Sequence, residues 1–256
     1  MLFKKESNVV NSFCMDKTPV TTAQFTDCVK QGKCTIAPAL AGNVSDRIPW
    51  AYCEHGGKTA PPPSNQTYVS KAPPGSDVSK MEEDPLAPWN RQCEGQPIYN
   101  CNYGSDRTNH PMNCVSYGES TKYCAAQGKR LPTEEEWEIA VRGTEARPWP
   151  WGEAKPVMKG PDVQGCWAES RQDDRTGAIH YTCPIGSFPK GNTPEGIQDL
   201  VSNVQNWTTT THDGGHYRLV RGSTFGWGTG GPSVFNNTPF REPTMKLPNL
   251  GFRCVR

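Results

Sequence analysis

Five histidines and eleven cysteines are the residues of this chain best equipped for chemistry. His212 and His216 stand four apart in THDGGHY, a separation that on a helix would aim two imidazoles at one metal ion. Gly214 and Gly215 lie between them and favour a solvated turn instead. His55, His110 and His180 are scattered. The cysteines contain no C-x-x-C, and their closest pairs are Cys28/Cys34 and Cys93/Cys101, so a zinc site does not fit. Disulfides in an oxidising compartment account better for so many thiols. Gly32 lets the chain turn back between Cys28 and Cys34, which suits a local bridge. Cys166–Cys183 and Cys93–Cys101 are further candidates. The acid pairs Glu134–Glu136 and Asp173–Asp174 fit a helix start and a loop better than a glycosidase dyad. Gly-x-Ser-x-Gly is absent, Gly222-Ser223 lacks a strand–turn–helix context, and there is no phosphate loop, so nucleophilic catalysis and nucleotide binding find no support.

The elements that must position these residues announce themselves by capping. Thr21 with Gln24, Ser116 with Glu119 and Thr133 with Glu136 are capping boxes, each satisfying two orphan N–H groups at a helix start. The predicted helices run from Thr22 to Gln31, ending at Gly32, from Ser116 to Gln127, and from Thr133 to Gly143. Phe25, Cys28 and Val29 form the apolar face of the first. Trp137 and Ile139–Val141 form that of the third. Gly128 is suited to end the second helix in a left-handed conformation. Val201–Trp207, Leu219–Val220 and Gly251–Val255 read as strands, and Gly152–Asn206 as mostly loop.

Composition bounds the rest. With 25 Gly, 24 Pro and 34% hydrophobic residues, irregular structure should dominate. A net charge of +1 offers no electrostatic footprint for nucleic acid or an anionic membrane. No apolar run is long enough to span a bilayer. The start, MLFKKESNVVNSF, lacks the apolar core of a signal peptide. Residues 35–109 are Pro- and Ser-rich with little periodicity and read as an insertion in one domain spanning 1–256. Trp50, Tyr52, Trp89 and Tyr99 would anchor a partner there, or plug the loop. Sequons occur at Asn43, Asn65, Asn206 and Asn236, of which Asn206 lies in a core motif.

GKRLPTEEEWEIAVRG at 128–143 and LGFRCVR at 250–256 resemble the formylglycine-generating-enzyme, or sulfatase-modifying-factor, family. FCMDKTPVTTAQF at 13–25, HPMNCVSYGESTKYC at 110–124, WPWG at 149–152, DLVSNVQNW at 199–207 and RLVRGSTF at 218–225 follow the family's order. The resemblance implies an α+β fold with high irregular content, a variant of the C-type-lectin fold, stapled by disulfides. It implies a Cys124–Cys254 bridge and makes Cys14–Cys114 a candidate. By elimination Cys53 would be the odd thiol, free or paired between chains. His110 takes the family's structural position before Pro111.

The family's enzyme oxidises a sulfatase cysteine with two copper-binding cysteines just beyond an RGGSY-like strand. Here that stretch reads RGSTFGWGTGGPSVFNNTPFREP and holds no cysteine between Arg221 and Pro243. Trp227 and about Pro232 take the thiol positions, and neither can ligate copper. Val141 stands where a second family bridge would have a cysteine. The sulfoxide-synthase branch needs a histidine cluster that this chain does not offer. Structural calcium is the remaining cofactor that the resemblance implies, at Asn203, Val204 and Asn206. Asn206 replaces the family's acid there, which lowers ligand charge. Asp173 and Asp174 are a second, weaker candidate. No catalytic residue is assigned.

The expectation is a non-catalytic extracytoplasmic protein, periplasmic, cell-surface or secreted, with a protein or peptide partner. Its binding groove would be lined by Phe225, Trp227, Phe235 and Phe240, with Arg241 available for a carboxylate. The alternatives are a metal-dependent oxidoreductase with an altered site and a subunit of a larger cell-surface or secreted assembly.

Overall fold

Thr21, Ser116 and Thr133 each accept a hydrogen bond from the backbone N–H three residues on, while Gln24, Glu119 and Glu136 accept the cap's own N–H. These reciprocal caps start α1 (Thr22–Lys30), α2 (Tyr117–Ala126) and α3 (Glu134–Arg142). Gly143 stops α3 at φ 62°. Phe25 and Cys28 of α1 are buried, and Val29 is half-buried against them. The structure is a computed structural model, described for residues 2–3, 12–37, 101–157, 160–166, 182–224 and 240–256. Trp50, Tyr52, Cys53, His55, Trp89, Cys93, Tyr99, Asp173, Asp174 and His180 fall outside the described residues, as do the sequons at Asn43, Asn65 and Asn236.

β1 (Leu2–Phe3) pairs antiparallel with β2 (Phe13–Cys14). The larger sheet holds β3 (Gln205–His212), β4 (Tyr217–Arg221), β5 (Phe240–Arg241) and β6 (Leu250–Gly251) in the order β5-β4-β3-β6. β6 runs parallel to β3, and the other pairs are antiparallel. The expected strand at 201–207 is displaced to Gln205–His212. Ser202 and Asn203 have φ of 71° and 66°, which turns the chain instead of extending it. The expected strand at 251–255 is shorter as well. After Gly251 the chain leaves the sheet, and the carbonyls of Phe252 and Cys254 accept the N–H groups of Val20 and Asp16. Gly251 must be glycine, because a Cβ there would lie 2.4 Å from the Met112 carbonyl oxygen.

Two apolar clusters divide the core. Trp207 and Val220, opposite each other on β3 and β4, join Phe25, Tyr123, Met112, Leu250 and Phe252. Trp137, Ala140 and Val141 of α3 join Phe13, Met15, Ile197, Leu200 and Val255. Disulfides tie the irregular parts to these clusters: Cys28–Cys34, Cys101–Cys114, Cys124–Cys254 and Cys166–Cys183. Cys101–Cys114 replaces two expected pairings, Cys93–Cys101 and Cys14–Cys114. Asn102 explains the choice: its N–H donates to Asn113 Oδ1 at 2.7 Å, which holds residues 101–102 beside 113–114. Among the described residues the free thiol is Cys14, half-buried on β2, and the expectation for Cys53 lies outside the described residues. No helix of the described residues is long and apolar enough to cross a membrane.

Candidate functional site

The stretch that would carry the chemistry leaves the sheet at the end of β4. Arg221, almost fully buried, forms an ion pair with Glu134 of α3 and lies 3.9 Å from Glu138. Gly222 follows with φ 94°, and a Cβ there would stand 3.1 Å from the Leu200 carbonyl and 3.5 Å from the Trp137 ring. Ser223 Oγ accepts the Ser202 N–H at 2.8 Å, and Thr224 is buried. The loop is therefore anchored through α3 and the 200–203 turn. Phe225, Trp227 and Phe235 fall outside the described residues.

The chain returns on β5. Phe240 stacks on His212, at the turn end of the β3–β4 hairpin, with ring centroids 4.2 Å apart. Arg241 is half-buried, and its Nη1 donates to the Phe240 carbonyl at 3.1 Å. An open cleft of about 500 Å³ beside β5 is lined by Asp213, His216, Tyr217, Glu242, Pro243 and Thr244. His212 and His216 flank a short turn at Asp213–Gly215, and both are exposed, as the two glycines suggested. Among the described residues no three His, Cys, Asp or Glu side chains gather where they could hold a metal. Aromatic faces, a guanidinium and carboxylates at a sheet edge suit recognition of a polypeptide.

The residues proposed for calcium do not fit that ion. Asn203 Oδ1 accepts the Cys183 N–H at 3.1 Å, and its Nδ2 donates to the Cys183 carbonyl at the same distance. Asn206 Nδ2 donates to the Val204 carbonyl, and its Oδ1 accepts Arg253 Nε at 3.2 Å. Each amide oxygen already accepts an N–H, and the one on Asn206 comes from a cationic guanidinium, which disfavours a metal ion beside it. Asn203 and Asn206 are fully buried, which also removes Asn206 as a glycan acceptor.

Arg253 organises this region, and sequence reasoning did not single it out. Its Nη2 donates to the carbonyls of Gln198 and Asp199, each at 2.9 Å, and its Nη1 reaches those of Asp16 and Lys17. Burial lowers its pKa to about 10, against the attraction of Asp199 and Asp16, so it is charged at neutral pH. Burial likewise pushes the Asp199 carboxyl up, although the Gly186 N–H and Arg253 oppose it. An arginine set between the apolar residues Phe252 and Cys254 of LGFRCVR was the available signal. His110, by contrast, sits where the motif placed it, with Nδ1 2.9 Å from Thr182 Oγ1.

Comparison with known proteins follows the same lines. The domain described as "Sulfatase-modifying factor enzyme 1-like domain" matches residues 4–256. An "Inactive C-alpha-formylglycine-generating enzyme 2" of Mus musculus is 34% identical over 154 residues, covering 57% of this chain and 48% of that protein. The "Formylglycine-generating enzyme" of Mycobacterium tuberculosis is 30% identical over 213 residues, covering 78% of this chain and 64% of that protein. The match thus spans about half of the mouse relative and under two thirds of the mycobacterial one. The solved structure of PvdO from Pseudomonas aeruginosa is similar in fold, with a TM-score of 0.58 at 19% identity over 96% of this chain and 80% of that one.

Proposed function

The chain belongs to the sulfatase-modifying-factor family as a divergent member, and from that premise we propose that it is a non-catalytic extracytoplasmic binding or structural protein. The observation that carries this reading is the stretch from Gly222 to Glu242, which has no cysteine where the family's enzyme carries its copper-binding pair. Among the described residues eight cysteines are committed to disulfides, and Cys14 lies on β2, in a different sheet from β4 and β5. Those disulfides support an oxidising compartment, periplasmic, cell-surface or secreted. In this reading the single domain reuses the groove from Phe225 to Arg241 to hold a protein or peptide.

Incubation with copper and a cysteine-containing sulfatase peptide, followed by mass spectrometry, tests the reading. The peptide should keep its mass. Conversion of its thiol to an aldehyde overturns the proposal and returns the chain to the oxidoreductases.

A further inference from the structure

Arg218 of β4 and Arg241 of β5 stand directly opposite each other in an antiparallel pair. Residues so placed project from the same face, and like charges there destabilise the sheet. Local rules broken in this way concentrate at functional sites. Arg218 is also held in place. Its guanidinium carbon lies 4.7 Å over the Tyr117 ring, and its Nη1 donates to the carbonyls of Gly215 and Tyr217 at 2.9 and 3.2 Å. Its Nε is buried without an acceptor. Among the described residues Arg130, Arg142, Arg147 and Arg221 each meet a carboxylate, whereas Arg218 meets none. Both Arg218 and Arg241 remain half-buried, within reach of a ligand.

We propose that Arg218 and Arg241 form the receiving face for a carboxylate-rich segment of a protein partner. The inference rests on the binding-protein reading above and names the chemistry of its partner. Planar guanidinium forks match carboxylates bidentately, and a fork already fixed by Tyr117 loses little freedom on binding. The two forks lean apart along the strands, Arg218 toward Gly215 and Arg241 toward Phe240. Spaced acids on an extended segment suit that arrangement better than one small anion. Glu242, just beyond β5, lines the cleft with Tyr217.

Fluorescence anisotropy on the full chain tests this with a labelled peptide alternating Glu and Gly. The expected result is binding that weakens as salt rises. Binding should fall on the order of tenfold in Arg218→Gln and in Arg241→Gln. Arg218→Lys should bind with a smaller loss, and thermal melts should confirm that each variant folds. Arg241→Gln, at the sheet edge, keeps the test alive should Arg218→Gln unfold. Equal binding of the Gln-for-Glu peptide, or unchanged affinity in folded variants, overturns the proposal. Displacement by inorganic phosphate at concentrations where acetate has no effect overturns the carboxylate assignment. Either failure leaves the copper assay unaffected, so the non-catalytic reading stands or falls separately.

Discussion

Each of the five N–H groups of Arg253 finds an oxygen, four of them backbone carbonyls on segments 16–17 and 198–199 and the fifth on Asn206. The Gln198 N–H already joins segments 198–199 and 16–17 by donating to the Lys17 carbonyl at 2.7 Å, and the guanidinium ties both to the C-terminal segment. Truncation would take the guanidinium donor from the carbonyls of Gln198 and Asp199, each loss costing about 1–3 kcal/mol, while Lys17 keeps the Gln198 N–H. Arg253→Met is therefore expected to destabilise the fold by about 3–5 kcal/mol, as loss of a buried charged partner does elsewhere. Urea unfolding measures this, and a loss below about 1 kcal/mol would refute the clamp. The residue was visible in LGFRCVR, but its role was not, because its partners lie far off in sequence.

At the scale of elements, α2 is tied to the C-terminal segment through its own cap. Glu119 accepts the Ser116 N–H at 2.9 Å, and it also accepts Lys246 Nζ at 2.6 Å and the Ala37 N–H at 2.8 Å. Both side chains of the Glu119–Lys246 pair are almost buried. Burial pushes the Glu119 carboxyl up, but Lys246 and the N–H and O–H donors outweigh it and hold the pKa below the usual value. A depressed folded pKa contributes stability that is complete above the unfolded value and is lost as pH falls through the folded one. Glu195, paired with Arg147, acts with the same sign, and Asp199, whose pKa is raised, with the opposite sign. A Glu119→Gln variant should be less stable near neutrality and should lose part of the acid dependence. Denaturation series over acidic to neutral pH, run beside the unsubstituted chain, isolate that part. Parallel curves would exclude the linkage.

The whole molecule depends on staples, since only 34% of its residues are hydrophobic. Cys124–Cys254 closes a separation of 130 residues and joins α2 to the C-terminal segment. In the chain-entropy picture this bridge contributes roughly 4–5 kcal/mol, and Cys28–Cys34, with a separation of 6, roughly 2 kcal/mol. Replacing Cys124 and Cys254 by serine should lower the Tm by about 10–15 °C. The same change at Cys28 and Cys34 should lower it by less than half as much. Calorimetry of the two double variants decides, and equal shifts would count against loop entropy as the cause.

By itself the sequence determined what depends on neighbours along the chain. The capping boxes at Thr21, Ser116 and Thr133, the stop at Gly143, the turn between His212 and His216 and the Cys28–Cys34 bridge are all such features. Each rests on hydrogen bonds or backbone conformations within a few residues, so spacing was enough. The motifs in order added the fold and the Cys124–Cys254 bridge by resemblance. Only the tertiary structure decided that Cys101 pairs with Cys114 and leaves Cys14 free, because that depends on the buried amide of Asn113 reaching Asn102. The same is true of the Asn203 and Asn206 amides, which in the sequence read as calcium ligands and in the structure accept N–H groups of Cys183 and Arg253. It is true again of Arg218 beside Arg241. Register across two strands sets which charges meet, and register is fixed by packing between segments that are distant along the chain.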